Sequence, residues 1–233
     1  MIKKEFFQSF SKAVSKREKQ LAILIDPDVF DNSTAESFLN KLPSNTTHLF
    51  VGGSTVEKDI TGTTVSTLKK YSSLPVFLFP GDESQITLKA DAILFLSLIS
   101  GRNPDYLIGQ QVRAISKLRT TDVEIIATGY ILIDGGNQSA VERVSETSPM
   151  LQEDIQSIVD TAIAGEYLGK KIIYLEAGSG AKYPVNSNVI KAVKKAICIP
   201  LLVGGGIRND KQKKEAYDAG ADMVVMGTIF ENI

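Results

Sequence analysis

Eight short apolar runs, separated by stretches with helical periodicity, constrain the fold of this chain more than any other feature. Continuous apolar runs are typical of parallel strands that are buried on both faces of a sheet. Eight such strands alternating with helices predict an α/β protein with a closed (β/α)₈ fold, the TIM barrel, in a regular or a modified form. The runs are residues 21–26, 47–53, 76–81, 92–99, 123–134, 171–178, 199–206 and 221–227.

The length of the chain fits a single barrel domain over residues 1–233. A barrel of this kind typically needs about 250 residues, and the chain has 233. No proline- and serine-rich linker or block of like charges divides it. An open, doubly wound sheet is the alternative architecture, but eight units that end in the turns described below favour a closed barrel.

Composition excludes several classes of protein. The net charge is −1, so nothing indicates a basic surface for nucleic acid. No apolar run reaches the ~18 residues of a membrane span, and the charged N-terminal segment does not resemble a signal peptide. We therefore expect a soluble, cytoplasmic protein with no nucleic-acid partner and no stable membrane span.

The single cysteine and the single histidine narrow the chemistry further. One cysteine, Cys198, excludes an internal disulfide and a cysteine-rich metal site. One histidine, His48, argues against a zinc site and leaves a single route to a Ser/His triad. Both residues lie in apolar segments, so we expect Cys198 to be a buried thiol and His48 to be structural.

The last three apolar runs each end in a glycine-rich or small-residue turn. These turns begin at Gly178, Gly204 and Gly227, and a helix-patterned stretch separates one from the next. Glycine lets a backbone approach a ligand closely, and amides at a helix N-terminus attract an anion. Such turns at the last strands of a barrel are typical of a phosphate site. The sequence therefore predicts that the chain binds a small phosphorylated molecule.

Polar side chains follow the first two strands. Asp26 lies at the end of the first predicted strand, and Ser54 and Thr55 follow the second, which is its neighbour in a barrel. One carboxylate and hydroxyl oxygens near a phosphate suit Mg²⁺, which keeps several waters and binds substrate phosphates. The alternative is that Asp26 only caps the next helix.

A tyrosine and a carboxylate lie two residues apart at the end of the sixth strand. Tyr174 and Glu176 therefore point to the same face, towards the barrel mouth. The carboxylate could orient a substrate hydroxyl or accept its proton, and the tyrosine could donate a hydrogen bond or face a cation. Amides and a hydroxyl for a phosphate follow at residues 178–180. The alternative is that Tyr174 and Glu176 have no role in binding or catalysis and only form a polar layer inside the barrel.

Several of these segments together resemble the geranylgeranylglyceryl phosphate synthase family. The resemblance extends over nearly the whole chain, and the subgroup with the LIDPD sequence is the most similar. The segments that carry it are YLEAGSGA at residues 174–181, VGGGIRN at 203–209, MGTIFE at 226–231, LIDPD at 24–28, VGGSTV at 51–56 and GRNPDYLIG at 101–109. Two positions, Leu24 and Val29, lack the basic residues that other members carry there.

The resemblance implies a modified barrel and a prenyltransferase. The family transfers a prenyl group from a polyprenyl diphosphate to the C3 hydroxyl of sn-glycerol 1-phosphate, releases diphosphate and requires Mg²⁺. We expect geranylgeranyl diphosphate as the donor, with a heptaprenyl donor as the alternative. The reaction is an early step of archaeal-type lipid synthesis. Relatives assemble as dimers or hexamers, so the resemblance also implies a homo-oligomer.

The resemblance also assigns roles to residues of this chain. Glu176 and Tyr174 are implied to be catalytic, with Glu176 receiving the proton and Tyr174 or Tyr130 shielding the prenyl cation. Asp26 and Ser54 are implied to hold Mg²⁺ and the diphosphate. The implied substrate-binding residues are Tyr174, Leu175, Glu176, Ala177, Gly178, Ser179, Gly180, Gly204, Gly205, Gly206, Gly227 and Thr228.

The position of the prenyl groove and two alternative functions stay open at this point. Residues 74–81 and 92–100 are apolar enough to line a prenyl groove, although buried strands of any barrel have the same character. A sugar-phosphate isomerase or aldolase-type barrel would share the phosphate site but need a catalytic lysine or a second acid. A non-catalytic binder of prenyl phosphates is the third reading, and the carboxylates at Asp26 and Glu176 argue against it.

Overall fold

A closed barrel of eight parallel strands forms the centre of the molecule, as predicted. The computed structural model describes residues 5–54, 56 and 60–230. The strands pair in chain order, and the first strand also pairs with the eighth. They are β1 (Gln20–Ile25), β2 (His48–Val51), β3 (Val76–Leu78), β4 (Ala92–Leu98), β5 (Glu124–Leu132), β6 (Ile172–Glu176), β7 (Leu201–Gly204) and β8 (Met223–Met226).

Helices surround the barrel, but they do not follow every strand. They are α1 (Phe6–Ser15), α2 (Ala35–Lys41), α3 (Ile60–Tyr71), α4 (Gln110–Leu118), α5 (Ala140–Ser145), α6 (Ile155–Tyr167), α7 (Ser187–Ala196) and α8 (Asp210–Ala219). Between β3 and β4, residues 79–91 contain one 3₁₀ turn, Glu83–Gln85, and no α-helix. The barrel is therefore a modified form of the fold.

Alternation along each strand divides the core into two layers. Side chains such as Leu175 and Val203 pack outwards between the strands and the helices. Side chains such as Phe50, Leu94 and Ile126 point inwards and fill the barrel. This period of two decides which residues of a strand can reach the mouth.

The N-terminal helix α1 packs against the interior of the barrel. Phe10 is buried in the inner layer, and its ring lies 6.2 Å from that of His48. The His48 ring also lies 5.1 Å from Phe77, and His48 Nδ1 lies 2.8 Å from Thr47 Oγ1. Burial lowers the pKa of His48 to about 4. His48 is thus a neutral packing residue at neutral pH.

The third strand is so short that it leaves part of its neighbour unpaired. The register between them includes only Phe77 with Ala92 and Leu78 with Ile93. On its other side, β4 pairs with β5 along its whole length. Among the described residues, no strand therefore pairs with this edge of β4 beyond Ile93. The buried Gln111 side chain of α4 donates a hydrogen bond to the free carbonyl of Leu96 there.

One expectation about the core is wrong. Cys198 is exposed, although apolar residues surround it in the sequence. It follows Ile197, the C-cap residue of α7, and it lies in the turn before β7. The buried Ile197 occupies the core position instead.

Within the described part of the chain, no helix is both long enough and apolar enough to cross a bilayer.

A carboxylate at the start of β5 anchors α1. Glu124 Oε2 accepts a hydrogen bond of 2.5 Å from the Phe6 amide, and Oε1 accepts one of 3.3 Å from Phe7. The residue that precedes the helix, Glu5, makes no capping bond with its side chain. Glu124 therefore acts as a helix cap from a distant position in the chain.

We predict that Glu124→Ala lowers the free energy of unfolding by about 1 kcal/mol, the usual cost of a lost helix cap. The matched control is Glu5→Ala, which should change the unfolding free energy by less than about 0.5 kcal/mol. Urea denaturation monitored by circular dichroism measures both. Equal effects of the two variants would mean that Glu124 does not anchor α1.

Candidate functional site

A buried carboxylate lies at the C-terminal end of β6. Only 6% of Glu176 is exposed, and its Oε1 accepts a hydrogen bond of 2.8 Å from the Gly178 amide. Burial raises the pKa of Glu176 to about 6, while the nearby Tyr174 hydroxyl and the Gly178 amide act in the opposite direction. A carboxylate with this pKa is ionised at neutral pH and can accept a proton from a bound hydroxyl.

The next strand leaves room for this carboxylate because it ends in glycine. Gly204 pairs with Glu176 in the sheet, and a Cβ at Gly204 would lie 2.6 Å from Glu176 Oε2. A Cβ at Gly205 would lie 2.5 Å from Oε1 and 2.6 Å from the Gly178 amide nitrogen. Gly205 also has a φ of 79°, which glycine adopts readily. Side chains at these positions would displace the carboxylate.

A buried hydroxyl lies beside the carboxylate. Tyr174 is fully buried, and a Cβ at Gly204 would lie 2.3 Å from its Oη. Tyr174 Oη makes no hydrogen bond of acceptable geometry with any described residue. Burial, and then the charge of Glu176, raise the pKa of Tyr174 well above its usual value, so the phenol keeps its proton. Buried hydroxyls are normally paired, so the Tyr174 hydroxyl can turn either to the neighbouring Glu176 carboxylate or to a ligand.

Most of the predicted site residues line one cavity of about 190 Å³ at the barrel mouth. The cavity brings together the ends of β1, β2, β6, β7 and β8, which are far apart in the sequence. The predicted residues that line it are Asp26, Ser54, Tyr174, Glu176, Ser179, Gly180, Gly205, Gly206, Gly227 and Thr228.

Four predicted residues do not line this cavity. Leu175 and Ala177 are fully buried in the outer layer of the core, so their side chains point away from the mouth. Gly178 directs its amide to Glu176, and Gly204 provides the space that Glu176 occupies. The side chains of Leu175 and Ala177 thus do not face the mouth, and the role of these two residues in substrate binding stays a prediction.

The first strand places Asp26 across the mouth from Glu176. A Cβ at Gly53 would lie 2.9 Å from an Asp26 carboxylate oxygen, so this carboxylate lies directly beside the turn that carries Ser54. Asp26 Oδ1 accepts a hydrogen bond of 3.0 Å from the Asp28 amide, and burial raises the pKa of Asp26. Thr55 lies outside the described residues.

The alternative role of Asp26 as a helix cap is only partly fulfilled. The 3₁₀ turn that follows β1, Asn32–Thr34, is capped by Asp31, whose Oδ1 accepts a hydrogen bond of 2.8 Å from the Ser33 amide. The Asp26 carboxylate instead closes a local turn at Asp28. Among the described residues, no donor other than the Asp28 amide bonds to this carboxylate, so its second oxygen can take a ligand at the mouth.

An apolar groove meets this cavity. It extends through the opening beside β3 and is lined by residues from β4 and α4, among them Ile93, Phe95 and Ala114. Both segments that the sequence suggested for a groove, residues 74–81 and 92–100, contribute to it. The residues shared by the groove and the cavity are Gly53, Ser54, Phe79, Tyr130 and Val141.

The sequence interpretation missed one charged residue of the cavity. Arg208 Nη2 donates hydrogen bonds to the carbonyls of Ala181, at 2.6 Å, and Gly180, at 3.3 Å. It therefore joins the turn after β7 to the turn after β6. A basic residue two positions after a run of three glycines was the signal that could have identified it.

Comparison with known proteins agrees with this geometry. The sequence profile of the PcrB family matches residues 14–233. The chain is 57% identical over 221 residues to geranylgeranylglyceryl phosphate synthase of Zunongwangia profunda, covering 95% of this chain and 94% of that protein. It is 36% identical over 233 residues to the Thermococcus kodakarensis protein of the same name, covering 99% and 92%.

A solved structure is similar over nearly the whole chain. It is (S)-3-O-geranylgeranylglyceryl phosphate synthase from Thermoplasma acidophilum in complex with its substrate sn-glycerol-1-phosphate. The TM-score is 0.90 at 33% identity, and the match covers 99% of this chain and 93% of that chain.

The buried Glu176 should make stability depend on pH. Because its pKa in the folded state is raised, the folded chain holds a proton that the unfolded chain has released between pH 4.5 and 6. Stability is therefore lost as pH rises through this range. We predict that Glu176→Gln is more stable than the wild type by about 2 kcal/mol at pH 7.5.

The two proteins should be equally stable near pH 4, where Glu176 is protonated in both states. Urea denaturation at the two pH values measures the difference. A variant that is less stable than the wild type at pH 7.5 would contradict the raised pKa.

Proposed function

This chain belongs to the PcrB family, and on that premise we propose that it is a prenyltransferase that joins a geranylgeranyl group to glycerol phosphate. The observation that carries the proposal is the continuity of the two cavities. The buried carboxylate Glu176 and the glycine turns lie in one, the apolar groove forms the other, and they meet at Phe79 and Tyr130. An acceptor and a donor bound in these cavities would react where they meet.

The polar cavity fits sn-glycerol 1-phosphate, the substrate named for the similar Thermoplasma acidophilum enzyme. Gly180, Gly205 and Gly206 all have positive φ values, between 71° and 79°, which turn the backbone around the cavity. Backbone amides in such turns form concave sites for a phosphate. With the phosphate there, the glycerol hydroxyls would reach Glu176 and the unpaired Tyr174 hydroxyl.

The donor diphosphate would bind between the ends of β1 and β2. Asp26 and Ser54 offer one carboxylate and one hydroxyl, and the described residues contain no cluster of three or more acidic, His or Cys ligands. This small set of donors fits Mg²⁺, which takes few protein ligands when phosphate oxygens complete its shell. When bound, Mg²⁺ would neutralise the charge that develops on the leaving diphosphate.

The reaction breaks one bond and forms one. The bond from C1 of the prenyl group to the diphosphate oxygen breaks, and the oxygen keeps both electrons. The C3 hydroxyl oxygen of glycerol phosphate bonds to C1, and its proton passes to Glu176. The pKa of about 6 keeps Glu176 ionised at neutral pH, and burial of both reactants holds them in place and excludes water.

Other assignments find less support. A heptaprenyl donor would use the same groove, and only the preferred chain length would differ. A sugar-phosphate isomerase or aldolase of the lysine type would need a lysine at the mouth, and no lysine of the described residues lines the cavity. The homo-oligomer and the cytoplasmic location stay predictions.

A labelled transfer assay tests the proposal. The wild type is incubated with Mg²⁺, labelled sn-glycerol 1-phosphate and a series of prenyl diphosphates of increasing length, and sn-glycerol 3-phosphate is the stereochemical control. We expect a prenylglyceryl phosphate from the 1-phosphate, with the geranylgeranyl donor preferred, and at least a hundredfold lower turnover for Glu176→Gln. No product with any donor would refute the proposed function.

Substitution of Asp26 tests the metal position. We predict that Asp26→Asn raises at least tenfold both the Mg²⁺ concentration for half-maximal rate and the KM for the prenyl diphosphate, because one carboxylate charge is lost. The KM for glycerol phosphate should not change. Asp31→Asn is the matched control, since asparagine caps a helical turn as well as aspartate does. A metal titration identical to that of the wild type would mean that Asp26 does not hold Mg²⁺ and only accepts the hydrogen bond of the Asp28 amide.

A further inference from the structure

The proposed reaction requires the prenyl carbon C1 to lie at one place in the molecule. C1 is bonded to the diphosphate, which Asp26 and Ser54 would hold, and to the tail, which the groove would hold. The hydroxyl that attacks C1 is held beside Glu176. Only the junction of groove and cavity satisfies all three conditions, and the junction is bounded by Gly53, Ser54, Phe79, Tyr130 and Val141.

Phe79 is the central ring of an aromatic cluster at this junction. Its centroid lies 5.3 Å from that of Tyr174, 6.1 Å from Tyr130 and 6.4 Å from Phe50. Phe50 is fully buried below it, whereas Phe79 is only partly buried and lines both the groove and the cavity. A ring face at this position is therefore available to a bound group.

The backbone holds Phe79 in place. Its amide donates a hydrogen bond of 2.9 Å to the Val51 carbonyl, which continues the β2–β3 ladder by one residue. A Cβ at Gly52 would fall 1.9 Å from the Phe79 carbonyl oxygen, so only glycine allows this close approach. Phe79 is thus the last residue fixed by sheet hydrogen bonds before the chain leaves the barrel.

We propose that Phe79 is a catalytic residue whose ring stabilises the allylic cation that forms at C1 as the diphosphate leaves. The proposal rests on the proposed function. A ring face attracts a cation, and the attraction is strongest where water is excluded. Phenylalanine also has no oxygen that could compete with the glycerol hydroxyl for C1. Tyr130 and Tyr174 have such an oxygen.

Replacement of Phe79 by mono-, di- and trifluorophenylalanine tests this role. Each fluorine withdraws electron density from the ring face and hardly changes its shape. We expect kcat to fall stepwise, by about tenfold or more across the series, with an unchanged KM for glycerol phosphate. The same replacements at Phe77, an inner-layer residue that lines neither cavity, should leave kcat unchanged.

Phe79→Leu gives a second readout. It keeps an apolar side chain but removes the ring, so we expect a lower kcat and a larger share of prenyl alcohol, formed when water captures the cation. A flat kcat across the fluorinated series, with normal transfer by the wild type, would overturn the role of Phe79 alone. No transfer by the wild type would overturn the proposed function as well.

Discussion

The close contact between Glu176 and the glycine end of β7 is the constraint on which the site depends. Any side chain at Gly204 or Gly205 would overlap the carboxylate or the Gly178 amide that binds it. Burial in that space raises the pKa of the carboxylate, and a carboxylate with a raised pKa is a stronger base. The same burial costs stability at neutral pH. The fold thus keeps the Glu176 carboxylate buried and ionised, at a cost in stability, where the proposed chemistry needs a base.

The short third strand has the opposite role, because it creates space. A longer β3 would continue the ladder with β4 past Ile93, and a helix after it would cover the outer face of β4. Without them, side chains from both faces of β4 can line one groove. Gln111 satisfies the free Leu96 carbonyl, so the unpaired edge is stable without a neighbouring strand. In the proposed function, a prenyl tail would therefore enter from the side of the barrel while polar groups enter from the mouth.

The sequence predicted the order of the strands well, because eight continuous apolar runs allow few other arrangements. It also predicted that Tyr174 and Glu176 share a face, since strand periodicity leaves no alternative. The same periodicity turns Leu175 outwards. The resemblance assigned residues 174–180 to the substrate as one segment, and so it did not separate Leu175 from its neighbours that face the mouth. Cys198 shows a related limit: apolar neighbours indicate a buried segment but not which of its members is buried. The bonds of Arg208 across two turns depend on tertiary structure, which no local pattern contains.

Barrel closure explains why donor and acceptor sites built from opposite ends of the chain can cooperate. The proposed acceptor site uses the ends of β6, β7 and β8, and the proposed diphosphate site uses those of β1 and β2. Because β8 pairs with β1, the turn at Gly227 lies against Leu24, where a Cβ would meet the Leu24 carbonyl at 3.4 Å. Two anionic groups would thus bind at adjacent strands, and Mg²⁺ held by Asp26 and Ser54 would reduce their repulsion. An open sheet would separate β1 from β8 and place the glycerol hydroxyl and the prenyl carbon C1 too far apart to react in the proposed reaction.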